Sequence, residues 1–440
     1  MNISILTVFQ QLYEPFLQTS LLKSAQKDNI ISCTVDSFFS FVDPKERIDS
    51  HTFGYNPGML IRPTVIQKAI EDKEKMFGKA FKIFFSPQGQ KLSQPLLKKI
   101  ARIALHEEHL LLVCSRYEGI DSRVEEEYAD MVISLGDFVL MGGDIPAMAL
   151  LEGMLRLVPG VVGKQESVEQ DSFSHLFVDH PVYTEPVEWK NRNVPDIVRS
   201  GNHGALRDWY LKESAKKTVR HHFQWLRSCQ MQEKEKAFVA DFIPSHYVAL
   251  LHTDVLVGGK EARVGNTSVT SIDIHDIARC AKTFGIKSYG IITPLVDQQR
   301  IVKKLLHFWH EGSGIDYNKN RYDAIKSVQI SDSLDSFIEH IEKIEGKKPI
   351  VIATSAQKNG ENAAVITYQD QSIVWKENRP VLLIFGTGQG LSPDCMKKAD
   401  YILLPIHGFS SFNHLSVRTA VGIVLDRWLG INERETGVSV

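Results

Sequence analysis

The stretch SLGDFVLMGGDIPAM at 134–148 sets glycines among apolar residues. Lacking a Cβ, glycine lets the backbone approach a ligand closely and aim amides and carbonyls at its polar edges. Such a loop can cradle a flat group such as adenine; a tight strand-to-helix turn uses the same glycines equally well. A second run, FGTGQGLS at 385–392, has part of the G-x-G-x-x-G spacing but follows a late strand, so a dinucleotide-binding reading is weak. Arg156 and Asp171 bring a cation and a carboxylate, which on spacing alone are a helix end and a loop cap. From Ala205 to Ser228 six basic residues (Arg207, Lys212, Lys216, Lys217, Arg220, Arg227) stand against Asp208 and Glu213. Trp209, Tyr210, Phe223 and Trp225 are interleaved with them, a pattern that suits phosphates and bases.

Elements must hold these residues in place. Short apolar runs at 3–8, 30–35, 81–85, 110–114 and 131–134 alternate with helical patterns at 64–77 and 94–106. That alternation predicts an α/β fold with a mostly parallel sheet. Residues 202–235 read as successive helices. Alternation then resumes, with strands at 247–251, 286–292, 349–353 and 380–385 and helices at 274–283, 295–309, 334–344 and 413–429. Residues 110–157 and 380–427, at a constant offset of 270, echo each other. Each has a buried strand, a glycine loop, a helix, the dipeptide Ala-Asp, a second apolar strand and another glycine loop entering a long helix. Any two parallel α/β domains share such texture, but a gap-free register across 48 residues favours one fold used twice.

Composition agrees. A chain of 440 residues, 43% hydrophobic and 24% charged, is too long for one ordinary core and too apolar for disorder. Five scattered cysteines without a C-x-x-C pair argue against a disulfide scaffold and a zinc site, so no metal ligands are assigned. No apolar run approaches the length of about 18 residues that spans a membrane, and a secretory signal is not recognisable. A cytoplasmic location without membrane contact is expected. With formal net charge −2, any contact with nucleic acid must be local.

The segments ILTVF (5–9), NPGML (56–60), FSPQGQKL (85–92), SRYEGIDSRV (115–124), SLGDFVLMGGDIPAM, RLVPGVVG (156–163), QDSF (170–173), HPVYTEP (180–186) and SGNH (200–203) carry a resemblance. Residues 1 to about 240 resemble the bacterial tRNA (guanine-N1)-methyltransferases, a SPOUT-class family. The resemblance implies an α/β domain tied in a trefoil knot, an exception to the usual rule against threaded chains. It implies S-adenosylmethionine as cofactor, held by Pro87, Ser115, Tyr117, Glu118, Gly119, Leu135, Gly136, Asp137, Phe138, Val139, Leu140, Gly142, Gly143 and Pro146. Mg2+ is left open as a further requirement. Asp171 would take the N1 proton of a guanine at tRNA position 37, and Arg156 would steady the charge on O6. A homodimer with a shared active site is implied, Asp171 reaching the cofactor of its partner. Tyr55 and Asn56 replace usual glycines, Ser115 another, and Gln10 a proline.

Residues 247–430 resemble a second SPOUT RNA methyltransferase domain, close to the ribose-methylating branch. IDIHDIARCAKTFGI (272–286) matches its first motif with Arg279 at the arginine position, and Gly386, Ile406 and Leu415 would contact cofactor. Asp273 replaces the branch's Asn; an acid facing ribose or phosphate repels, and His252, His275, His407 and His414 are the substitutes considered. The resulting organisation is a catalytic domain at 1–163, a flexible loop at 164–179, an all-helical tRNA-binding domain at 180–243 and a second SPOUT domain at 247–440. A cut after Pro244 should then leave guanine methylation largely intact. The competing reading is a non-catalytic tRNA-binding protein with degenerate knots.

Overall fold

The computed structural model describes residues 1–54, 57–163, 171–259, 261–310, 318–356 and 363–432; Tyr55, Asn56 and residues 164–170 of the interdomain loop lie outside them. The chain divides into two compact units, Met1–His175 and Leu176–Val440.

The first unit holds strands β1 (Asn2–Thr7), β2 (Ser32–Ser37), β3 (Phe81–Lys91), β4 (His109–Val113) and β5 (Met131–Ser134). They form one parallel sheet in the order β2-β1-β4-β3-β5. Alternate residues feed two cores. Ile3, Ile5, Leu110 and Leu112 pack with α2 (Gln94–Glu107); Leu6, Phe84, Leu111 and Val113 pack with α1 (Pro63–Phe77). A sheet covered on both faces explains why HLLLV in β4 is buried throughout instead of alternating. Helices α3 (Ser122–Tyr128) and α4 (Asp144–Leu155) follow β4 and β5. Strand β3 outruns its expected end by six residues, because Phe85 and Gln90 both pair with Ile133 and residues 86–89 loop out between them.

The second unit opens on an irregular stretch holding a short hairpin, Glu188–Trp189 against Arg192–Asn193, and its first helical turn is Asp196–Arg199. Helices α5 (His203–His221) and α6 (Glu233–Ala240) lead to a seven-stranded sheet. Its strands are β6 (His246–Leu251), β7 (Ser288–Ile292), β8 (Val328–Ser331), β9 (Ile350–Thr354), β10 (Ala364–Ile366), β11 (Val381–Gly386) and β12 (Tyr401–Leu403). All are parallel, ordered β8-β7-β6-β11-β9-β12-β10. Helices α7 (Ser271–Thr283), α8 (Val296–His310), α9 (Leu334–Glu345) and α10 (Val417–Leu429) cover it. The middle of this sheet, β7-β6-β11-β9-β12, repeats the strand order of the first unit, and β12 begins at the offset of 270 from β5. The echo in the sequence is one topology used twice, with β8 and β10 added at the edges.

One expectation changes. The helical segment shares its core with the second sheet: Val219, Phe223, Leu226 and Val239 pack among Val248, Leu250, Val374, Trp375 and Trp428. Arg227, counted in the basic run, is 3% exposed and donates to the carbonyls of Asp426 (2.6 Å) and Arg427 (2.6 Å) at the end of α10. Phe223 and Arg227 are therefore structural. Arg207, Lys212, Lys217 and Arg220 remain on the surface, near the ring cluster of Trp209, Tyr210, Tyr183 and His180.

Candidate active sites

In open parallel sheets, ligands bind beyond the carboxyl ends of the strands where the strand order switches direction. In the first unit that place lies at the ends of β1 and β4, and three loops reach it. Arg116 bridges Gly142, and the Gly143 amide donates to the Ser115 carbonyl at 2.9 Å, so the loop after β5 lies against the loop after β4. A Cβ on Gly142 would stand 2.7 Å from the Ser115 carbonyl oxygen, and one on Gly143 3.0 Å from the Cys114 Cα. These two glycines serve chain-against-chain packing. A Cβ on Gly89 would meet the backbone of Val132 and Ile133 at 2.6 Å, so the looped-out 86–89 segment crosses directly over β5. Gly119, at φ +114°, faces open space and leaves room for a ligand.

Beneath these loops sits an acid that the sequence reading passed over. Asp144, fully buried, accepts from Thr7 Oγ1 (2.5 Å), Arg116 Nε (2.9 Å) and the Tyr13 hydroxyl (3.2 Å). Burial, with Cys114 and Asp144 beside it, holds the Tyr13 hydroxyl far above its usual range; burial likewise raises the Cys114 thiol. Neither ionises near neutrality. Arg116 also stacks over the Phe9 ring at 4.7 Å. Above, Phe138, Val139, Leu140 and Met141 are exposed apolar residues, Val139 and Met141 by more than four fifths. Pro87, Tyr117, Glu118 and Asp137 are exposed at the same rim, Leu135 and Gly136 are half-buried, and Ser115 and Pro146 lie underneath. Open backbone at Gly119 and an apolar rim fit a cofactor with an adenine and a thioether-like chain.

Arg156 caps the far end of α4. Its Nε donates to Asp171 Oδ2 at 2.6 Å and its Nη2 to Oδ1 at 2.8 Å. The structure thus joins the two residues proposed for catalysis in a two-pronged ion pair. That pair stands one helix away from the glycine loop of the same chain. The helix has 12 residues, which spans about 18 Å.

The second unit has a cleft of about 1410 Å³ at the carboxyl ends of β6, β11, β9 and β12. Gly386, Ile406 and Leu415 line it, as do His252, Asp273 and His414; His275 and His407 do not. His275 packs edge-on against Trp309 instead. Arg279 lies in an adjoining groove with Arg418 and Gly422. Gly388 is consumed by packing, 2.6 Å separating its would-be Cβ from the Leu256 carbonyl, whereas Gly390 faces open space. At the cleft floor a hydrogen-bond chain fixes one imidazole. The Thr387 hydroxyl donates to the Leu251 carbonyl (2.8 Å), so it accepts from Thr267 (2.5 Å); Thr267 must then accept from His252 Nδ1 (3.0 Å). Nδ1 carries the proton and Nε2 is a bare, buried acceptor. Burial pulls the His252 pKa down to about 4.

Two parallel α/β units with open glycine loops at their strand ends define a class of ligand-binding α/β proteins. Residues 1–227 match the family described as tRNA (Guanine-1)-methyltransferase TrmD, and residues 245–430 the family described as SAM-dependent RNA methyltransferase. The chain is 35% identical to a tRNA (guanine-N(1)-)-methyltransferase of Nitratidesulfovibrio vulgaris over 98% of this chain and 99% of the relative. A homologue of the same description from Oleidesulfovibrio alaskensis is 34% identical over the same shares, whereas that of Bacillus licheniformis, 36% identical, covers 55% of this chain and 99% of its own length. A crystal structure of the tRNA (m1G37) methyltransferase from Aquifex aeolicus aligns at 31% identity over 50% of this chain and 91% of that one, with TM-score 0.42. The chain belongs to the tRNA (guanine-N1)-methyltransferase family, in a two-unit form that carries an RNA methyltransferase domain behind it. Among the described residues no group of three or more His, Cys, Asp or Glu is placed to hold a metal ion, and no helix is long and apolar enough to cross a membrane.

Proposed function

We propose that the first unit transfers the methyl of S-adenosylmethionine to N1 of guanine 37 in tRNA, and that its loops 86–89, 115–119 and 135–143 hold the cofactor in a trefoil knot. The cofactor supplies an electrophilic methyl; the protein must make N1 nucleophilic. Guanine N1 keeps its proton near neutral pH, so Asp171 takes that proton while Arg156 meets the charge growing on O6. The observation that carries this reading is the Arg156–Asp171 pair itself: a base and its electrophilic partner already stand side by side. Because that pair is a helix length from its own glycine loop, it serves the cofactor of a second copy, which supports a homodimer with shared sites and gives the exposed Phe138–Met141 residues a covering. Arg207, Lys212, Lys217 and Arg220 on α5 would grip tRNA phosphates. The second unit would be a further S-adenosylmethionine-dependent RNA methyltransferase, its cofactor beside Gly386, Gly390, Ile406 and Leu415.

The test is methyl transfer to unmodified tRNA. Asp171→Ala should lose activity by roughly a hundredfold or more, the contribution of a positioned base, with tRNA affinity kept. Equal activity in variant and wild type would remove Asp171 from the mechanism. Tight tRNA binding without methyl transfer by the wild type would favour the non-catalytic reading.

A further inference from the structure

Asp273 stands where a neutral amide is usual, and its surroundings give it a partner. The side chain is nearly buried in the first turn of α7; the Thr270 hydroxyl donates to its Oδ2 at 2.5 Å. Arg418, in the first turn of α10, donates from Nη1 to Asp273 Oδ1 at 3.4 Å, and its Nε lies 3.7 Å from Asp276 Oδ2. Both contacts are long. A guanidinium carries five N–H donors, so a hold this loose steers the group without saturating it. Arg418 is 37% exposed in its side chain and lines both the cleft and the adjoining groove. Among the described lining residues the other Lys or Arg, Lys397, is paired with Asp394 at 2.9 Å. Ser416, Val417 and Arg418 also bring the amide end of α10 to the cleft wall, adding positive potential there. Opposite stands His252 Nε2, buried and without a hydrogen-bond partner among the described residues.

We propose that Arg418 is the nucleotide-binding residue of the C-terminal cleft, taking an anionic or carbonyl oxygen of the RNA to be modified, and that Asp273 is its positioning residue. The strand order supports the division of labour. The glycine loops after β11 and β12 correspond in strand order to the loops after β4 and β5 of the first unit, which leaves the β6 side, with His252, Asp273 and Arg418, to the acceptor. On this view the acid at position 273 acts on RNA through the arginine it orients, while its Oδ2 is held by the Thr270 hydroxyl. The inference rests on reading the second unit as an S-adenosylmethionine-dependent RNA methyltransferase.

The test uses the full chain saturated with S-adenosylhomocysteine and a short mixed-sequence ribo-oligonucleotide carrying 4-thiouridine. Photo-crosslinks in the wild type should fall on peptides of the cleft, including residues 404–420. Arg418→Gln should lose most of them and weaken binding by roughly tenfold. If the oxygen belongs to a phosphate, the slope of log affinity against log KCl falls by about one; if it belongs to a base, affinity falls with the slope unchanged. Asp273→Asn should show an intermediate loss, and Arg418→Lys should recover the slope but not the full affinity. Arg300→Gln, on the exposed face of α8, is the control and should change nothing. Unaltered crosslinking and affinity in Arg418→Gln, or wild-type crosslinks confined to 203–228, would overturn the proposal. Calorimetry separates the underlying reading: one S-adenosylhomocysteine per chain removes it together with the proposal, whereas two per chain with unaltered Arg418→Gln crosslinking removes the proposal alone.

Discussion

Asp144 illustrates how much one buried carboxylate can organise. It ties the strand end at Thr7, the loop cation Arg116 and the Tyr13 hydroxyl together under the glycine loops. Removing one member of a buried ion pair leaves the other uncompensated, which costs about 3 kcal/mol or more. Asp144→Ala is therefore expected to lower the thermal midpoint and to weaken S-adenosylhomocysteine binding measured by calorimetry; an unchanged midpoint and affinity would show that Arg116 finds its support elsewhere. Asp144 was not legible in GGDIPAM, where an acid after two glycines looks like any helix-starting residue, because nothing local says that Thr7 and Arg116 converge on it. Asp171 and Arg156 were legible only through the family motifs. Their two-pronged pairing is a tertiary fact, set by how a loop returns to the end of α4.

Strand β6 carries a histidine at its start, His246, and another just past its end, His252. His246 donates from Nδ1 to the Pro244 carbonyl (2.6 Å) and accepts at Nε2 from Trp428 (3.0 Å), so a second proton would break a satisfied pair. Burial lowers both pKa values to about 4, against 6.5 for an unburied imidazole. The unfolded chain therefore binds protons that the folded chain refuses. Stability from these groups is fully present above about pH 6.5 and is lost as pH falls towards 4, up to roughly 3 kcal/mol for each. Urea unfolding of the second unit should have a clearly lower midpoint at pH 5 than at pH 7, and His246→Gln should shrink the difference. The same elements show what sequence patterning reaches. Helices α1 and α2, with a sustained apolar period, and β4, a continuous apolar run, were placed to within one residue. β8 and β10, of four and three residues at the sheet edges, carry too few positions to show a period. Helix α10 starts later than its apolar pattern, where the Ser416 hydroxyl caps the Thr419 amide.

At the scale of the whole molecule, the domain boundary that sequence suggests at Pro244 is a boundary in texture and not in packing. The Bacillus licheniformis relative matches over 244 residues, 99% of its own length and 55% of this chain. Here, however, a cut after Pro244 strips Val219, Phe223, Leu226 and Val239 of Trp375 and Trp428, and leaves Arg227 without its carbonyls. The truncated chain is expected to be poorly soluble or to bind a hydrophobic dye, with weakened tRNA affinity, in place of the intact methylation that an independent front half would keep. Soluble yield and full tRNA binding after truncation would show that α5 and α6 fold unaided. Changing the four apolar residues to polar ones in the truncated chain should restore solubility without restoring the lost core.

The attachment of Arg227 to Asp426 and Arg427 also has a consequence in time. Those carbonyls lie 199 and 200 residues further along the chain. A ribosome adding roughly 5–20 residues per second needs about 10–40 s to supply them. During synthesis the first unit can close as soon as it emerges, but the helical segment must wait, its apolar side uncovered, until α10 has been made. That interval leaves the segment's apolar side open to holding chaperones, and the segment attains its final form only once α10 has left the ribosome.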